Sequence, residues 1–445
     1  MISFPDNQLL RGARKIAAVL RRDGHQVYFV GGAVRDALLG KTLKDIDIAT
    51  SAHPDRVREL FPHTYGVGVA FGIVVVVEDG INYEVAAMRE ERDYTDGRHP
   101  ETVYYTDSPR LDAARRDFTV NAMFYDPATG ELLDFFGGRE DLRRGVLRTV
   151  GPAAIRFRED YLRLLRAVRF CTRFRFEPDS ELVAAAAELK NCLRQLSPER
   201  IRTELSAMLT GPDPAGSIAM LHRFGMLAVI LPEVAAMDGV AQHELYHPEG
   251  DVMTHTLLML RHMSLPTVEL AWSILLHDIG KVATLTVGND GIPHFYGHED
   301  VGADMAEAIL KRLRFSCRET ATIVHAVRNH MRFAHVDRMR PSTRKRLMSD
   351  DTFPLELELH RIDCVSSNML LGNYVLLLDL LPELAMERAL PPPLLAGADL
   401  ITLGLKPGPR FGDLLRRLRD LQLDGEITAR EAALNWIRRE NPNLH

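Results

Sequence analysis

The pattern of apolar residues changes partway along the chain, and this change constrains the fold more than any other feature. Before about residue 148, short runs rich in β-branched residues alternate with helical periods. After about residue 151, apolar residues recur at spacings of three and four, as on one face of a helix. The chain is therefore predicted to be α+β, with a small mixed sheet and its helices first and an all-α remainder. The predicted strands are residues 27–30, 46–49, 73–78 and 83–87.

The length of the chain and its proline- and glycine-rich interruptions indicate a further division of the 445 residues. Single cores stop growing at about 250 to 300 residues, so several domains are expected. Proline and glycine interrupt helical segments at residues 209–214 and 390–393, which serve as approximate internal boundaries. The predicted parts are an α/β head at 1–148, a helical neck at 149–235, a helical domain at 236–389 and a helical tail at 390–445.

Composition and charge narrow the possible classes. A formal net charge of −6 excludes an overall basic surface, so any nucleic-acid binding has to be regional. The first residues lack a basic segment followed by an apolar run, and no stretch approaches about 18 uninterrupted apolar residues. A cytoplasmic protein without a membrane partner is therefore predicted. The cysteines form no CxxC pair and are predicted to be reduced and structural; they are Cys171, Cys192, Cys317 and Cys364.

A glycine pair near the first strand is compatible with phosphate binding. Residues 29–36 read Phe-Val-Gly-Gly-Ala-Val-Arg-Asp, a strand followed by two glycines and the start of a helix. At such a turn the backbone of Gly32 can approach a phosphate closely, and Arg35 can clamp an anion. Taken alone, the motif is equally a plain strand-to-helix turn.

The next motif supplies paired carboxylates. Strand alternation across residues 43–49 places Asp45 and Asp47 on one face, opposite two isoleucines. Such a pair suits Mg²⁺, which prefers hard oxygen ligands and bridges carboxylates to substrate phosphates. Metal-assisted phosphoryl transfer is predicted, with both aspartates as catalytic metal ligands. Glu84, in another alternating strand, is either a third carboxylate for the metals, a base, or a solvent-facing side chain.

A third pattern falls in a strongly helical stretch. Asp160 and Arg163 are three residues apart, and Arg166 and Arg169 continue the same ridge. A carboxylate accepts a hydrogen bond from an exocyclic amine and a guanidinium donates to a ring nitrogen, which matches cytosine and adenine but not uracil or guanine. The alternative is an amphipathic helix with an internal Asp160–Arg163 ion pair, worth a few tenths of a kcal/mol.

Taken together, the motifs resemble class II tRNA nucleotidyltransferases and bacterial poly(A) polymerases. Besides the two motifs above, the resemblance rests on Arg-Arg-Asp-Phe-Thr-Val-Asn-Ala at 115–122, Phe-Gly-Gly-Arg-Glu-Asp-Leu at 136–142 and Glu-Asp-Tyr-Leu-Arg at 159–163. It implies a polymerase beta-like nucleotidyltransferase head, a neck that binds RNA and nucleotide, Mg²⁺ as cofactor, and tRNA, CTP and ATP as partners.

The resemblance also implies roles for individual residues. Arg116, which can neutralise triphosphate charge, is expected to contact the nucleotide. Asn121 offers a donor and an acceptor to a ribose or to another loop. The Glu-Asp-x-x-Arg motif is expected to read CTP and ATP through Asp160 and Arg163, while nearby arginines hold phosphates; these are Arg166 and Arg169.

Two segments bear on which member of the family the chain resembles. Residues 89–100 are polar and punctuated by glycine and proline, and are predicted to form a mobile loop. The resemblance implies that this loop is needed to switch the site to ATP, so addition of cytidines alone is disfavoured. Poly(A) polymerases usually carry a strongly basic tail, whereas the C-terminal tail of this chain has a mixed charge. Its helix near residues 409–418 is either a tRNA-contacting face or a solvated one. Complete CCA addition to tRNA is predicted, with A-only addition or poly(A) polymerisation as alternatives.

A second metal signature lies in the predicted helical domain. His277 and Asp278 are adjacent within Leu-Leu-His-Asp-Ile-Gly-Lys and, with His255 and Asp363, resemble the HD phosphohydrolase superfamily. The resemblance implies one or two divalent metals, and this ligand set suits Ni, Mn, Co or Fe. An intact site predicts phosphatase or cyclic phosphodiesterase activity that repairs RNA 3′ ends. Among 17 histidines, single ones are also explained as structural residues. Three more share this helical region: His298, His325 and His330.

Two other classes remain as alternatives. In the first, the helical domain is a metal-dependent phosphohydrolase and the head is a binding module. In the second, the whole chain binds nucleotide or RNA through inactive sites. A monomer or a homodimer is expected in each case.

Overall fold

The computed structural model describes residues 4–66, 72–94, 100–386, 392–406 and 408–441. The chain forms two compact units, Met1–Pro232 and Glu233–His445. Among the described helices, none combines the length and the apolar character that a membrane span needs. All four cysteines carry free thiols; Cys171 and Cys364 are buried, whereas Cys317 is exposed.

A seven-stranded mixed sheet forms the centre of the head. Strands of the head, in chain order, are β1 (Val27–Val30), β2 (Asp47–Thr50), β3 (Thr64–Gly66), β4 (Ile73–Glu78), β5 (Ile81–Ala87), β6 (Arg89–Tyr94), β7 (Pro100–Tyr105), β8 (Phe124–Tyr125) and β9 (Leu132–Leu133). The sheet order is β3-β4-β5-β2-β1-β8-β9. Only β2 and β5 pair in parallel, and the other neighbours are antiparallel. The small mixed sheet predicted for this region is confirmed.

Helices cover the sheet because their apolar faces need burial. The head helices are α1 (Gln8–Arg22), α2 (Gly32–Leu38), α3 (Pro54–Leu60), α4 (Pro109–Ala114) and α5 (Gly138–Arg144). Helix α1 begins where the Asn7 side chain accepts a hydrogen bond from the amide of Leu10, an N-cap that satisfies one free donor. Its residues Leu10, Ile16 and Leu20 are fully buried, and the helix packs on β1, β2, β4 and β5.

The rest of the first unit is helical apart from the short parallel pair β10 (Val146–Leu147) and β11 (Glu177–Pro178). Its helices are α6 (Ala153–Glu159), α7 (Leu162–Phe174), α8 (Ser180–Leu189), α9 (Pro198–Leu209), α10 (Pro214–Arg223), α11 (Leu227–Ile230) and, where the units meet in sequence, α12 (Pro232–Ala235). The predicted joint at 209–214 only connects α9 to α10, which pack together within one unit. The use of this joint as a boundary was therefore wrong, since proline and glycine mark a turn between packed helices just as readily.

Among its described residues, the second unit is also helical, with one short antiparallel strand pair, β12 (Thr286–Val287) and β13 (Pro293–His294). Its helices are α13 (Val252–His262), α14 (Val268–Leu276), α15 (Lys281–Thr284), α16 (His298–Arg312), α17 (Cys317–Asn329), α18 (Pro341–Met348), α19 (Phe353–Ser366), α20 (Gly372–Met386), α21 (Gly397–Thr402), α22 (Pro409–Leu423) and α23 (Arg430–Glu440). Helix α14 is mostly apolar and is buried from Leu270 to Leu276, with Trp272 fully buried. Residues 390 and 391 of the predicted joint at 390–393 lie outside the described residues.

Residues 89–100 are not a loop throughout. Strands β6 and β7 pair antiparallel, with Arg89 opposite Tyr105; residues 95–99 lie outside the described chain. The prediction of a mobile loop is therefore corrected for the two flanks. Main-chain hydrogen bonds hold such a strand pair together without requiring a buried face. The segment therefore needs no apolar alternation, which is why its sequence did not indicate strands.

Candidate functional site

The two aspartates predicted as metal ligands lie at the start of a central strand. Strand β2 begins at Asp47, and Asp45 stands two residues earlier, exposed and just outside the strand. Ile46 and Ile48 are buried in the opposite direction. The predicted alternation is therefore present, although only Asp47 belongs to the strand itself.

Glu84 approaches this pair from the neighbouring strand. In the parallel pairing of β2 with β5, Ile48 lies opposite Val85, which brings the preceding Glu84 beside Asp47. Burial, together with the negative charges of Asp45 and Glu84, raises the pKa of Asp47 to about 6, although the Arg116 guanidinium opposes this rise. Crowded carboxylates of this kind gain from a bound cation, so the three oxygen-bearing groups fit a divalent metal.

The glycine turn lets the guanidinium of Arg116 approach the carboxylate of Asp47. Gly31 has a φ of +66°, in the left-handed region that favours glycine. A Cβ atom at this position would lie 3.2 Å from Nη1 of Arg116 and 3.6 Å from Oδ2 of Asp47. Glycine thus permits a close approach that a side chain would crowd. The next residue, Gly32, lines the same cavity.

A buried carboxylate orients Arg116. Asp112 is only 1% exposed, and its Oδ2 accepts a hydrogen bond from Nη2 of Arg116 at 3.1 Å. Its Oδ1 accepts from Nε and Nη2 of Arg115, at 2.9 and 2.7 Å, and from the amide of Arg89 at 3.1 Å. One carboxylate therefore ties the start of β6 to the guanidinium that stands beside Asp47.

A second network holds Arg35 and Arg166. Arg35 is 4% exposed, and its Nη1 donates to Oδ1 of Asn121 at 2.5 Å. The Asn121 amide donates in turn to Asp117, whose other oxygen accepts from Nε and Nη2 of Arg166 at 2.9 and 2.7 Å. Although burial alone would raise the pKa of Asp117, Arg166 and Asn121 lower it to about 2. Asn121 thus uses one donor and one acceptor in hydrogen bonds to other protein side chains. Of its two predicted partners, a ribose or another loop, this matches the second.

The predicted helical ridge is interrupted at its first member. Helix α6 ends at Glu159 and α7 begins at Leu162, while Asp160 has an extended backbone with φ −151° and ψ 106°. Its carboxylate accepts from the amide of Leu162 at 3.0 Å and from Nη2 of Arg200 at 2.7 Å. The prediction that Asp160 belongs to one helix with the arginines was wrong, because its side chain caps the following turn and pairs with a distant arginine.

Arg163 is held from the other side. Its Nη1 donates to Oε2 of Glu159 at 2.6 Å and to the carbonyl of Arg156 at 2.9 Å, and its Nη2 donates to the carbonyl of Arg115 at 3.0 Å. The internal Asp160–Arg163 ion pair, the simpler alternative, does not form. Both side chains instead have fixed positions at the wall of one cavity.

That cavity has a volume of about 630 Å³, within the range of small-molecule sites. Glu84 is not part of its lining, although it stands beside Asp47. The predicted residues that line it are Gly32, Arg35, Asp45, Asp47, Arg116, Asn121, Asp160, Arg163, Arg166 and Arg169.

Several charged lining residues were not predicted. Arg173 continues the spacing of three to four residues after Arg169, so the pattern contained a signal for it. Arg200 comes from α9 and carries no local signal. The unpredicted charged lining residues are Asp36, Lys44, Arg115, Asp117, Arg173 and Arg200.

The second unit gathers the four residues of the predicted HD site. His255, fully buried on α13, places Nε2 3.2 Å from Oδ1 of Asp363 on α19. His277 places its Nε2 3.1 Å from Oδ2 of Asp278. Within the described chain, neither Nε2 atom has a hydrogen bond of good geometry although both are buried. Converging nitrogens and carboxylates that leave one another unbonded fit a metal centre.

Two further histidines belong to this centre. Nε2 of His298 lies 3.4 Å from Oδ1 of Asp278, and Nε2 of His330 lies 3.8 Å from the same atom. Burial lowers the pKa of His330 to about 3, which keeps its imidazole neutral, as a metal ligand must be. Both were noticed in the sequence without a role. His325 is excluded from the centre, because its Nδ1 pairs with Glu356 at 2.7 Å.

The carboxylate of Glu249 orients His255. Oε1 of Glu249 lies 2.6 Å from Nδ1 of His255 and 2.9 Å from Nδ1 of His247. When Nδ1 of His255 carries the proton, Nε2 is the nitrogen that faces Asp363 and remains available to a metal. Glu249 was missed in the sequence, since nothing local distinguishes it from a surface glutamate.

Three segments match known protein families. Residues 27–148 match the poly A polymerase head domain, residues 175–238 the probable RNA and SrmB-binding site of polymerase A, and residues 250–351 the HD domain.

The CCA-adding enzyme of Anoxybacillus flavithermus is 44% identical over 229 residues, which are 52% of this chain and 57% of that protein. The CCA-adding enzyme of Lactiplantibacillus plantarum is 36% identical over 270 residues, 60% of this chain and 61% of that protein. The chain thus spans somewhat more than half the length of these curated relatives.

Solved structures extend the likeness over nearly the whole chain. The CCA-adding enzyme of Bacillus stearothermophilus in complex with CTP is 26% identical, covers 98% of this chain and 100% of its own, and has a TM-score of 0.75. The Thermotoga maritima CCA-adding enzyme complexed with tRNA is 22% identical, covers 98% and 96%, and has a TM-score of 0.59, which shows a shared fold.

Proposed function

We propose that this chain, which carries a poly A polymerase head domain and an HD domain, adds C and A nucleotides to the 3′ end of tRNA without a nucleic-acid template. The observation that carries the proposal is one cavity whose lining joins Asp45 and Asp47 to Asp160 and Arg163. The first pair suits phosphoryl transfer and the second suits recognition of a base. The similarity to CCA-adding enzymes supports the same activity.

Asp45 and Asp47 are the residues that would hold Mg²⁺, with Glu84 as a third carboxylate or as a base. Divalent cations bound there would stabilise the charge that develops on the transferred phosphate and activate the RNA 3′-hydroxyl. Arg116, fixed by Asp112 beside Asp47, is placed to neutralise triphosphate oxygens. The new bond joins the RNA 3′-oxygen to the α-phosphorus, and the bond to pyrophosphate breaks.

Asp160 and Arg163 would choose the base. The Asp160 carboxylate has two oxygens with about four acceptor positions, so it can receive an exocyclic amine while it holds Arg200. The Arg163 guanidinium, with five N–H donors, can serve a ring nitrogen while it holds Glu159. Cytosine and adenine offer this amine and acceptor combination, whereas uracil and guanine would leave buried groups unpaired.

Complete CCA addition is the form of the activity that we propose, with A-only addition or poly(A) polymerisation as alternatives. Asp112 joins the start of β6 to Arg116, so the strand pair and the nucleotide cavity are mechanically connected. This connection supports a role of the 89–105 segment in admitting ATP after cytidines have been added.

The test supplies tRNAs that end before, within or one nucleotide short of CCA, with CTP and ATP given separately. We expect C addition to the first, A addition to the last, and no addition with UTP or GTP. The double variant Asp45→Ala, Asp47→Ala should lose all addition. Addition that persists in this variant, or equal use of UTP and CTP, would contradict the proposal.

A second activity is favoured by the HD centre. His255, His277, Asp278 and Asp363 converge, and His298 joins them. We propose a transition-metal phosphohydrolase that acts on damaged RNA 3′ ends, with 2′,3′-cyclic phosphates as test substrates. His277→Ala should abolish hydrolysis and metal retention while leaving CCA addition intact. Purified protein that retains no transition metal and is inactive on these phosphates argues against the activity.

A further inference from the structure

Two cations at the nucleotide cavity differ from their neighbours. Within the part of the chain that the structure describes, Lys44 and Arg173 line the cavity without a carboxylate at ion-pair distance. Most of the surrounding arginines have such a partner, namely Asp36 for Arg35, Asp112 for Arg116, Glu159 for Arg163, Asp117 for Arg166, Glu204 for Arg169 and Asp160 for Arg200.

Arg173 also stands among like charges. Burial lowers the pKa of both Arg35 and Arg169, and the charge of Arg173 lowers both further. A fold gains no stability from crowding a third guanidinium beside two others. An anionic ligand at this point removes the repulsion, and phosphate oxygens match guanidinium and ammonium donors well.

A second cavity is lined by the same cations. It has a volume of about 300 Å³ and shares Lys44, Arg169 and Arg173 with the nucleotide cavity. The connection between α9 and α10 forms much of the remaining wall. Asp213, the one carboxylate in the described lining, already accepts from the amide of Gly216 at 2.8 Å and caps α10. The second cavity therefore presents a cationic wall without an opposing free carboxylate.

We propose that the second cavity receives the 3′-terminal strand of the RNA and that Lys44 and Arg173 hold one of its phosphodiesters. This inference rests on the proposed nucleotidyl transfer. The RNA 3′-hydroxyl has to reach the α-phosphate of the nucleotide, so the strand needs a place directly beside the nucleotide cavity. The second cavity, which shares a wall with the nucleotide cavity, is such a place. The unpaired cations of the shared wall match a backbone phosphate rather than a base.

The test compares Lys44→Gln and Arg173→Gln with a matched control. Arg175→Gln removes an equal charge from the exposed residue just after the same helix, outside the lining of both cavities. With tRNA lacking CCA, each test variant should raise the KM for tRNA about tenfold, as expected for one charge-assisted phosphate contact. The KM for CTP should change less than twofold, Arg175→Gln should behave as wild type, and Arg173→Lys should recover most of the tRNA affinity.

Binding without nucleotide provides an independent measurement. The logarithm of the tRNA affinity, followed by fluorescence anisotropy, should fall less steeply with the logarithm of salt concentration in each test variant. The slope should decrease by about 0.7 for one single-strand phosphate contact. A higher KM for CTP with an unchanged KM for tRNA would assign the cations to the triphosphate and overturn the inference, as would an unchanged salt slope. Wild-type protein that adds no nucleotide would instead refute the proposed function itself.

Discussion

Replacing Asp117 with asparagine tests whether the buried network beneath the nucleotide cavity stabilises the first unit through its charge. The carboxylate accepts two hydrogen bonds from Arg166 and one from Asn121, which lower its pKa to about 2 from 3.8 for an unperturbed aspartate. Each pKa unit corresponds to about 1.4 kcal/mol, so ionised Asp117 contributes about 2 kcal/mol at neutral pH. The Asp117→Asn variant should lose about that free energy of unfolding at pH 7.

The pH dependence gives the effect its signature. A carboxyl whose pKa is depressed by folding stabilises the protein above its unfolded pKa, and this stability is lost as pH falls through the folded pKa. The difference between wild type and Asp117→Asn should therefore stay near 2 kcal/mol down to about pH 4 and halve by about pH 3.

Hydrogen exchange of amides 117–122, corrected for intrinsic rates at each pH, is a suitable assay. The two tryptophans, Trp272 and Trp436, both belong to the second unit and do not report on this site. Asp107→Asn, at an exposed carboxylate of the head, is the control and should change stability by less than about 0.5 kcal/mol. A difference between wild type and Asp117→Asn that stays constant from pH 7 to pH 3 would refute the electrostatic explanation.

Three further predictions follow from individual side chains. Asp160→Ala should lower the preference for CTP and ATP over UTP by at least tenfold while the fold is retained, and an unchanged preference in single-nucleotide addition would contradict its assignment. Glu249→Gln should weaken metal binding at the HD centre about 10-fold or more, because a neutral amide oxygen replaces the charged carboxylate that orients the His255 ring; competition with a chelator measures this, and unaltered affinity would exclude the role. Exposed Cys317 should react rapidly with a thiol reagent at pH 8, whereas Cys171, whose pKa burial raises to about 12, should react only after unfolding; mass spectrometry of labelled peptides distinguishes them.

Features with a short repeat could be predicted from the sequence. Residues 27–30 and 73–78 were predicted as strands and are strands with the same bounds. The alternation that points Asp45 and Asp47 away from Ile46 and Ile48 is also present. These predictions succeed because the direction of a side chain in a strand depends only on its immediate neighbours.

The break at Asp160 shows where local pattern failed. Residues 153–174 contain neither proline nor glycine, and the stretch that holds Asp160 and Arg163 was interpreted as helical. Asp160 instead caps the turn at Leu162 and pairs with Arg200, 40 residues away in sequence. An aspartate inside a helical pattern is a weak signal of a cap, and the tertiary partner decides whether the helix stops there.

The sequence by itself determined the types of groups available for chemistry, namely paired carboxylates in the head and histidines with aspartates in the helical domain. Only the tertiary structure decided which of them meet. His298 and His330 join the HD centre while His325 turns to Glu356, and Lys44 and Arg173 are left without carboxylate partners among the described residues. The reason is physical: strand and helix periods depend on adjacent residues, whereas hydrogen bonds and ion pairs act through space between segments that the fold brings together.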